Sequence, residues 1–407
     1  MMVDDTWALA HPGLWWVGIA LVALGILYSA LTLAATLVRR RVSNPHITNL
    51  RPVTVLKPLC GLEPQLYECL KSFCQQDYPE MQLIFGVTDP LDPAIGVVRR
   101  LQRENPSLSI QLCIDATRHG NNPKVSNLQN MMRYARHDWL VLADSDIRVL
   151  PDYLGRVAAH LSDPVVGVVT CAYTGRAVGR FWSRVAAEFI CGWFIPSVYV
   201  AALLKSRAFA FGATIALRRQ VLDQIGGFAA IADQMADDYR LGEATRALRL
   251  RTVLSEVVVE TTVSEATLYE LASHQLRWLR TIRGVRPLGY LSAGVTFSVP
   301  LALIGLWLTN FDSFAGLATA VVVLLRILLS RLLKSTHTNW GLRQSLLGPL
   351  SDLIVFCLWC VGFVGHRVTW RAADFEIDRQ GAAHRVEGIP VQSLSPPTRT
   401  LSPSERV

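Results

Sequence analysis

Charge is scarce in this sequence: 18% of its 407 residues are Asp, Glu, Lys or Arg, where average soluble domains carry about a quarter. The shortage is local, confined to the first 40 residues and to 288–366, while the middle reads as an ordinary globular domain. Paired cysteines are lacking as well. The eight present, Cys60, Cys69, Cys74, Cys113, Cys171, Cys191, Cys357 and Cys360, show no zinc-type spacing. Cys357 and Cys360 form a C-x-x-C inside an apolar run, where they read as small apolar residues of a membrane helix. No basic n-region precedes the first apolar stretch, only Asp4 and Asp5, which argues against a cleaved signal peptide. No continuous basic stripe accompanies the net charge of +8, which argues against nucleic acid as a partner. Internal repeats are absent.

The positive charge lies beside the apolar segments, at Arg39-Arg40-Arg41 and across 277–286. That placement fits the positive-inside rule and anionic lipid headgroups. Residues 14–38 are 25 uncharged residues, long enough to span a bilayer with some tilt. The expected arrangement is a retained anchor over 1–41, its N-terminus outside and the bulk of the chain in the cytoplasm. After Arg286 come three apolar stretches, about 288–309, 314–333 and 346–365. The second carries Arg326 and Arg331 and is a poor lipid-exposed span. Two crossings plus one re-entrant or interfacial element keep the basic residues His366, Arg367 and Arg371 inside. The last residues, 391–407, are rich in Ser, Pro and Thr and are expected to be disordered.

Between about 50 and 260, short apolar runs alternate with amphipathic stretches. Strands are predicted at 53–57, 82–87, 110–114, 139–143, 166–171 and 252–254, with helices at 63–74, 93–104 and 125–135. This alternation predicts an α/β layer with a mostly parallel sheet. Ligands of such sheets bind beyond the carboxyl ends of the strands.

Four motifs carry chemistry, the first two of them at predicted strand ends where that rule points. In Trp139-Leu-Val-Leu-Ala-Asp144-Ser145-Asp146 an apolar strand runs into two carboxylates one residue apart. Two hard oxygen ligands at that spacing can share one Mg²⁺ or Mn²⁺ and present it to a diphosphate. In Val87-Thr88-Asp89-Pro90-Leu91-Asp92-Pro93, Asp92 reads equally as a base or ribose contact and as the cap of the helix that follows. In Met235-Ala-Asp237-Asp238-Tyr239 the paired carboxylates suit a helix N-terminus, or Asp238 serves as the general base of an inverting transfer. In His274-Gln-Leu-Arg277-Trp278, the cation and indole suit a diphosphate and a sugar or acceptor pocket; a juxtamembrane basic helix with an interfacial Trp reads as well. Lys57 and Lys124, the latter beside Asn127, are phosphate or ribose contacts or plain solvated lysines. The aromatic stretch 180–200 is an acceptor surface or core.

The order Asp92, Asp144-Ser-Asp146, Asp238 and x-x-Arg277-Trp278 resembles inverting family-2-like glycosyltransferases of GT-A fold. Leu56-Lys57-Pro58-Leu59-Cys60-Gly61-x-Glu63-Pro64, Gln76-Asp77-Tyr78-Pro79 and Asn122-Pro-Lys124-Val-x-Asn127-Leu are similar to the ceramide glucosyltransferase family. His137-Asp138-Trp-Leu-Val-Leu-Ala-Asp-Ser-Asp-Ile147 and Phe211-Gly-Ala-Thr-Ile-Ala-Leu-Arg218 resemble its bacterial hopanoid branch. The resemblance covers about 50–285. It implies a UDP-sugar donor, an Mg²⁺ or Mn²⁺ requirement, and one sugar added with inversion to a lipid hydroxyl. It implies that Lys57, Glu63, Asp92, Lys124, Asn127, Asp144 and Asp237 bind the nucleotide sugar and that Asp144 and Asp146 hold the metal. Asp238 is then the base, and His274, Arg277 and Trp278 serve the diphosphate and acceptor. His274 stands where the family usually has Gln or Arg. Asp146 leans toward the hopanoid branch, with N-acetylglucosamine passing to bacteriohopanetetrol; UDP-glucose to ceramide is the alternative.

The implied organisation is an anchor at 1–41, a GT-A domain at 50–285, membrane helices at 286–367 and a cytoplasmic tail at 368–407, on a bacterial inner membrane. Two other classes fit the sequence less well. A processive polysaccharide synthase needs more spans for its channel than four apolar segments supply. A non-enzymatic lipid-binding scaffold would not need the three carboxylate motifs to remain acidic. Oligomeric state is not legible.

Overall fold

Buried β-branched runs build the centre of the molecule, whose computed structural model describes residues 7, 10–42, 50–206, 209–333, 342–370, 373–378 and 382–386. The strands are β1 (Val53–Pro58), β2 (Met81–Val87), β3 (Ser109–Ile114), β4 (Trp139–Leu142), β5 (Ile147–Arg148), β6 (Val166–Ala177), β7 (Ile215–Arg218) and β8 (Arg251–Val263). They form one sheet in the order β3-β2-β1-β4-β7-β6-β8-β5. β3, β2, β1 and β4 are mutually parallel. β7 runs antiparallel to both β4 and β6, and β6 and β8 are parallel. This is the expected α/β layout with a mostly parallel sheet. β1 is buried along its whole length, as a strand covered on both faces must be. Val53 and Val55 face a layer containing Leu70, Phe73 and Val98, while Leu56 faces one containing Val125 and Leu128.

Two strands were not expected. β7 is four residues long, too short for a period to register, and β5 is a two-residue pairing. β6 and β8 extend well past the predicted 166–171 and 252–254, to 12 and 13 residues. Their long ladder carries the sheet toward the apolar helices.

The helix Pro12–Arg39 covers the apolar stretch 14–38 and is long and apolar enough to cross a membrane. It packs on the helix Ser298–Leu308 through glycines. A Cβ at Gly18 would lie 2.7 Å from the Gly305 carbonyl oxygen, and one at Gly25 2.9 Å from that of Ser298. Backbones this close need small residues, the usual device for joining helices in lipid. The stretch 288–309 is broken: Pro287–Thr296 and Ser298–Leu308 meet at 64°, consistent with the expected re-entrant or interfacial element. Ser313–Leu332 and Arg343–Val361 are also long and apolar enough to span. Arg326 does not face lipid. Its Nε and Nη2 donate to Asp352 on the neighbouring helix at 2.6 and 2.5 Å. A further apolar stretch, Phe181–Leu203, is also long and apolar enough to span but is 72% buried and packs against β6.

All eight cysteines are free. The segment from Arg367, where the tail is expected to start, carries three antiparallel strands, β9 (Arg367–Trp370), β10 (Ala373–Ile377) and β11 (Ala383–Arg385). The segment 391–407, expected to be disordered, lies outside the described residues.

Candidate active site

A cavity of about 920 Å³ opens at the carboxyl ends of β1 and β4, where the sheet rule places ligands. Of the residues singled out from the sequence, Glu63, Lys124, Asn127, Asp144, Asp146, Asp237, Asp238, His274, Arg277 and Trp278 all line it. Lys57 and Asp92 do not.

The local reasons are legible. β4 ends at Leu142, and the chain turns so that the Ile147 amide donates to the Asp144 carbonyl. Asp144 and Asp146 are thereby turned out of the sheet. Lys124 opens the helix Pro123–Met132, which Pro123 starts and Asn122 caps: Asn122 Oδ1 accepts from the Lys124 and Val125 amides at 2.9 and 3.1 Å. Asn122 Nδ2 in turn donates to the Gln234 carbonyl at 2.7 Å. One cap therefore fixes Lys124 and the loop leading to Asp237 and Asp238. Those two aspartates occupy the first turn of the helix Asp237–Ala247, at the positive end of its dipole.

Lys124 Nζ lies 2.8 Å from Asp144 Oδ1 and 3.1 Å from Asp237 Oδ2. Burial opposes its charge, but the carboxylates of Asp144, Asp237 and Asp238 outweigh burial and hold its pKa above the ordinary value. Asp238 accepts from the Gly212 amide at 2.8 Å and the Tyr239 amide at 2.7 Å. Each bond uses one lone pair on a different oxygen, so both oxygens keep acceptor capacity. Burial, then the neighbouring charge of Asp237, pushes its carboxyl up to about 6. Gly212 is the point of convergence: a Cβ there would lie 3.0 Å from Lys124 Nζ, 3.2 Å from Asp144 Oδ2 and 3.5 Å from Asp238 Oδ2.

Asp146 accepts from Thr261 Oγ1 on β8. Burial, then Asp144 and Glu63, raises its carboxyl to about 7. That is an excess of negative charge in hard oxygen donors, which a divalent cation would relieve. Among the described residues, no group of three or more His, Cys, Asp or Glu is arranged to hold a metal. A cation would therefore take two protein carboxylates and fill its shell from phosphate or water, as Mg²⁺ and Mn²⁺ sites with nucleotides do. The residues present fit it.

Lys57 and Asp92 stand behind the lining. Lys57 is fully buried; its Nζ donates to the Asp144 carbonyl at 2.7 Å and sits 3.8 Å from the Phe73 ring centroid. It braces the turn that carries Asp144 from behind. Asp92 caps: its oxygens accept from the Gly61 and Ala94 amides, both at 2.8 Å. Gly61, at φ 72°, takes a left-handed conformation that suits glycine. Asp92 positions the Gly61–Glu63 turn, and Glu63, which accepts from Ser145 Oγ, reaches the cavity.

Four residues were missed. Gly212 and Thr261 come from strand ends distant in sequence. Glu265 lines the cavity and pairs with His274 Nδ1 at 2.7 Å. Arg385 comes from β11. The aromatic stretch is both lining and core. Phe189, Trp193 and Phe194 face the cavity, with Phe189 6.2 Å from Trp278 and Trp193 stacked on Phe297 at 5.2 Å. Together with Tyr173 and Phe211 they make an apolar wall leading from the carboxylates toward the membrane helices.

A family model described as glycosyl transferase family 21 matches residues 17–383. Ceramide glucosyltransferase 1 of Caenorhabditis elegans is 24% identical over 230 residues, 56% of this chain and 49% of that protein. Ceramide glucosyltransferase of Candida albicans is 33% identical over 107 residues, 23% of this chain and 20% of that protein. The chain thus spans at most about half the length of these relatives. Among solved structures, the mannosyltransferase PcManGT from Pyrobaculum calidifontis in complex with GDP-Man and Mn²⁺ has a TM-score of 0.49 at 20% identity, over 84% of this chain and 97% of that one.

Proposed function

The chain belongs to glycosyl transferase family 21, and from that premise we propose that it transfers one hexose from a UDP-sugar to the hydroxyl of a membrane lipid, inverting the anomeric carbon. The observation that carries this reading is the convergence of Lys124, Asp144 and Asp238 on Gly212, beside an aromatic wall that runs to the apolar helices.

In this reading Asp238 takes the proton of the acceptor hydroxyl. Its raised pKa, about 6, suits a base that works near neutrality. The acceptor oxygen bonds to the anomeric carbon as the bond to the diphosphate oxygen breaks, and UDP leaves. Lys124 and Arg277 oppose the negative charge gathering on the departing diphosphate. Asp144 and Asp146 would hold a divalent metal, which when bound supplies further neutralisation of that leaving group. Trp193, Phe194 and Trp278 exclude water and align the lipid, so that hydrolysis of the donor is suppressed.

Ceramide with UDP-glucose is favoured over bacteriohopanetetrol with UDP-N-acetylglucosamine, because the curated relatives are ceramide glucosyltransferases. The Arg39-Arg40-Arg41 cluster after the anchor supports an active site on the cytoplasmic face of a bacterial inner membrane. The test is mass spectrometry of products from the purified full chain, given UDP-glucose or UDP-N-acetylglucosamine with ceramide or a hopanoid polyol in turn. Glucosylceramide is the expected product. A hexosaminyl hopanoid alone would replace this acceptor with the other, and no glycolipid from any pair would overturn the reading.

A further inference from the structure

We propose that Arg385, on the small sheet that follows the last apolar helix, binds the diphosphate end of the donor, so that these strands belong to the active site rather than to a tail. The inference rests on the nucleotide-sugar reading above.

Three observations place it there. First, the small sheet is tied to the helix Leu268–Val285, which carries Arg277 and Trp278. Arg280 Nη1 donates to the Arg367 carbonyl at 2.7 Å. Arg283 donates to the Gly362 and Gly365 carbonyls at 2.7 and 2.5 Å. Second, it is tied to the loop before the catalytic pair, because Ala382 makes an isolated antiparallel bridge with Gln234, three residues ahead of Asp237. Gln234 is itself held by Asn122, the cap that positions Lys124. Third, Phe375 and Arg385 are direct partners in the β10–β11 ladder. Directly opposed residues of an antiparallel pair project to the same face. Both line the cavity, and Phe375 is buried, so the face they share is the one turned to the site.

The charge pattern then names the ligand. Lys124 is occupied by Asp144 and Asp237. Arg385, by contrast, makes no ion pair or hydrogen bond from its side chain among the described residues, and the same holds for Arg286, which also lines the cavity. An exposed guanidinium that lines a cavity without a carboxylate partner is open to an anion supplied from outside, and its fork matches phosphate oxygens. Two sources carry that chemistry here, the donor diphosphate and an anionic lipid headgroup. The ties to Asp237–Asp238 and to the Arg277 helix favour the diphosphate.

The experiment is titration of the full chain, in nanodiscs of neutral phosphatidylcholine, with UDP and with uridine. Arg385→Ala is expected to weaken UDP by about tenfold, with uridine unchanged and Arg385→Lys in between. UDP affinity equal in wild type and Arg385→Ala would overturn the proposal. So would an effect of Arg385→Ala that emerges only when phosphatidylglycerol is added to the nanodiscs, since that assigns the guanidinium to lipid. Absence of UDP binding by the wild type would remove the donor reading together with this one. UDP binding that responds to Arg385→Ala, without transfer to any lipid tried, would count against the proposed acceptor alone.

Discussion

Lys124 Nζ and Asp144 Oδ1 stand 2.8 Å apart at the floor of the cavity, joining the helix that follows β3 to the end of β4. The same ammonium reaches Asp237, so one cation keeps carboxylates from two distant segments together. Lys124→Ala removes it and leaves Asp144, Asp237 and Asp238 to repel one another. Transfer should fall about 100-fold or more, the scale of losing one preorganised charge stabiliser. Steady-state kinetics in the UDP-sugar measure this, and Lys124→Arg should recover only part, because a planar fork does not replace a point charge.

Asp238 fixes the pH behaviour. A base whose carboxyl sits at about 6 gives a rate that is full above that pH and declines as pH falls through it. Asp238→Asn should remove the limb and lower kcat by about 10²–10⁴. The stability effect has the opposite sign. The folded chain holds this proton more tightly than the unfolded one, so the group favours the fold at low pH and loses that contribution as pH rises from 3.8 to about 6. A pH series of rates and of unfolding midpoints separates the two.

Gly212 has no room to grow. A methyl at its Cβ would stand 3.0 Å from Lys124 Nζ and 3.2 Å from Asp144 Oδ2, pressing on the cluster itself. Gly212→Ala should cost more than tenfold in kcat/KM while the protein keeps its unfolding midpoint, since a small displacement at the chemistry suffices. A matching fall in the midpoint would mean that the residue serves folding instead.

Arg326 and Asp352 form a doubly hydrogen-bonded pair between two apolar helices, both buried. Arg326→Ala strands a carboxylate and should cost about 3–5 kcal/mol, whereas Arg326→Met with Asp352→Leu should be near neutral or stabilising. Thermal unfolding in one detergent compares the two.

These residues also mark how far the sequence could be read. Asp144 and Asp146 were legible because an apolar run ending in two carboxylates is a local pattern, and strand ends face the crevice. Lys57 resembles a phosphate ligand by the same local logic, yet its side chain folds back over Phe73, a contact set by tertiary packing. Asp92 offered a cap and a ligand at once; its bond from the Gly61 amide, 31 residues away, is a tertiary contact that the motif did not announce. Arg326 looked misplaced in a span because its partner lies 26 residues on. Glu265 and Arg385 carry no motif, and Gly212 stands in a phrase that names no chemistry for it. They reach the cavity through the register of β7, β8 and β11, which no spacing along the chain encodes.

The central claim is that Asp144 and Asp146 line one donor site. Calorimetric titration of the purified full chain with UDP, in buffered Mn²⁺ and again after chelation, tests it most directly. The account predicts Mn²⁺-dependent UDP binding that disappears in Asp144→Ala and Asp146→Ala, with their unfolding midpoints retained. UDP binding of equal strength in wild type and in both variants, indifferent to the metal, would contradict it.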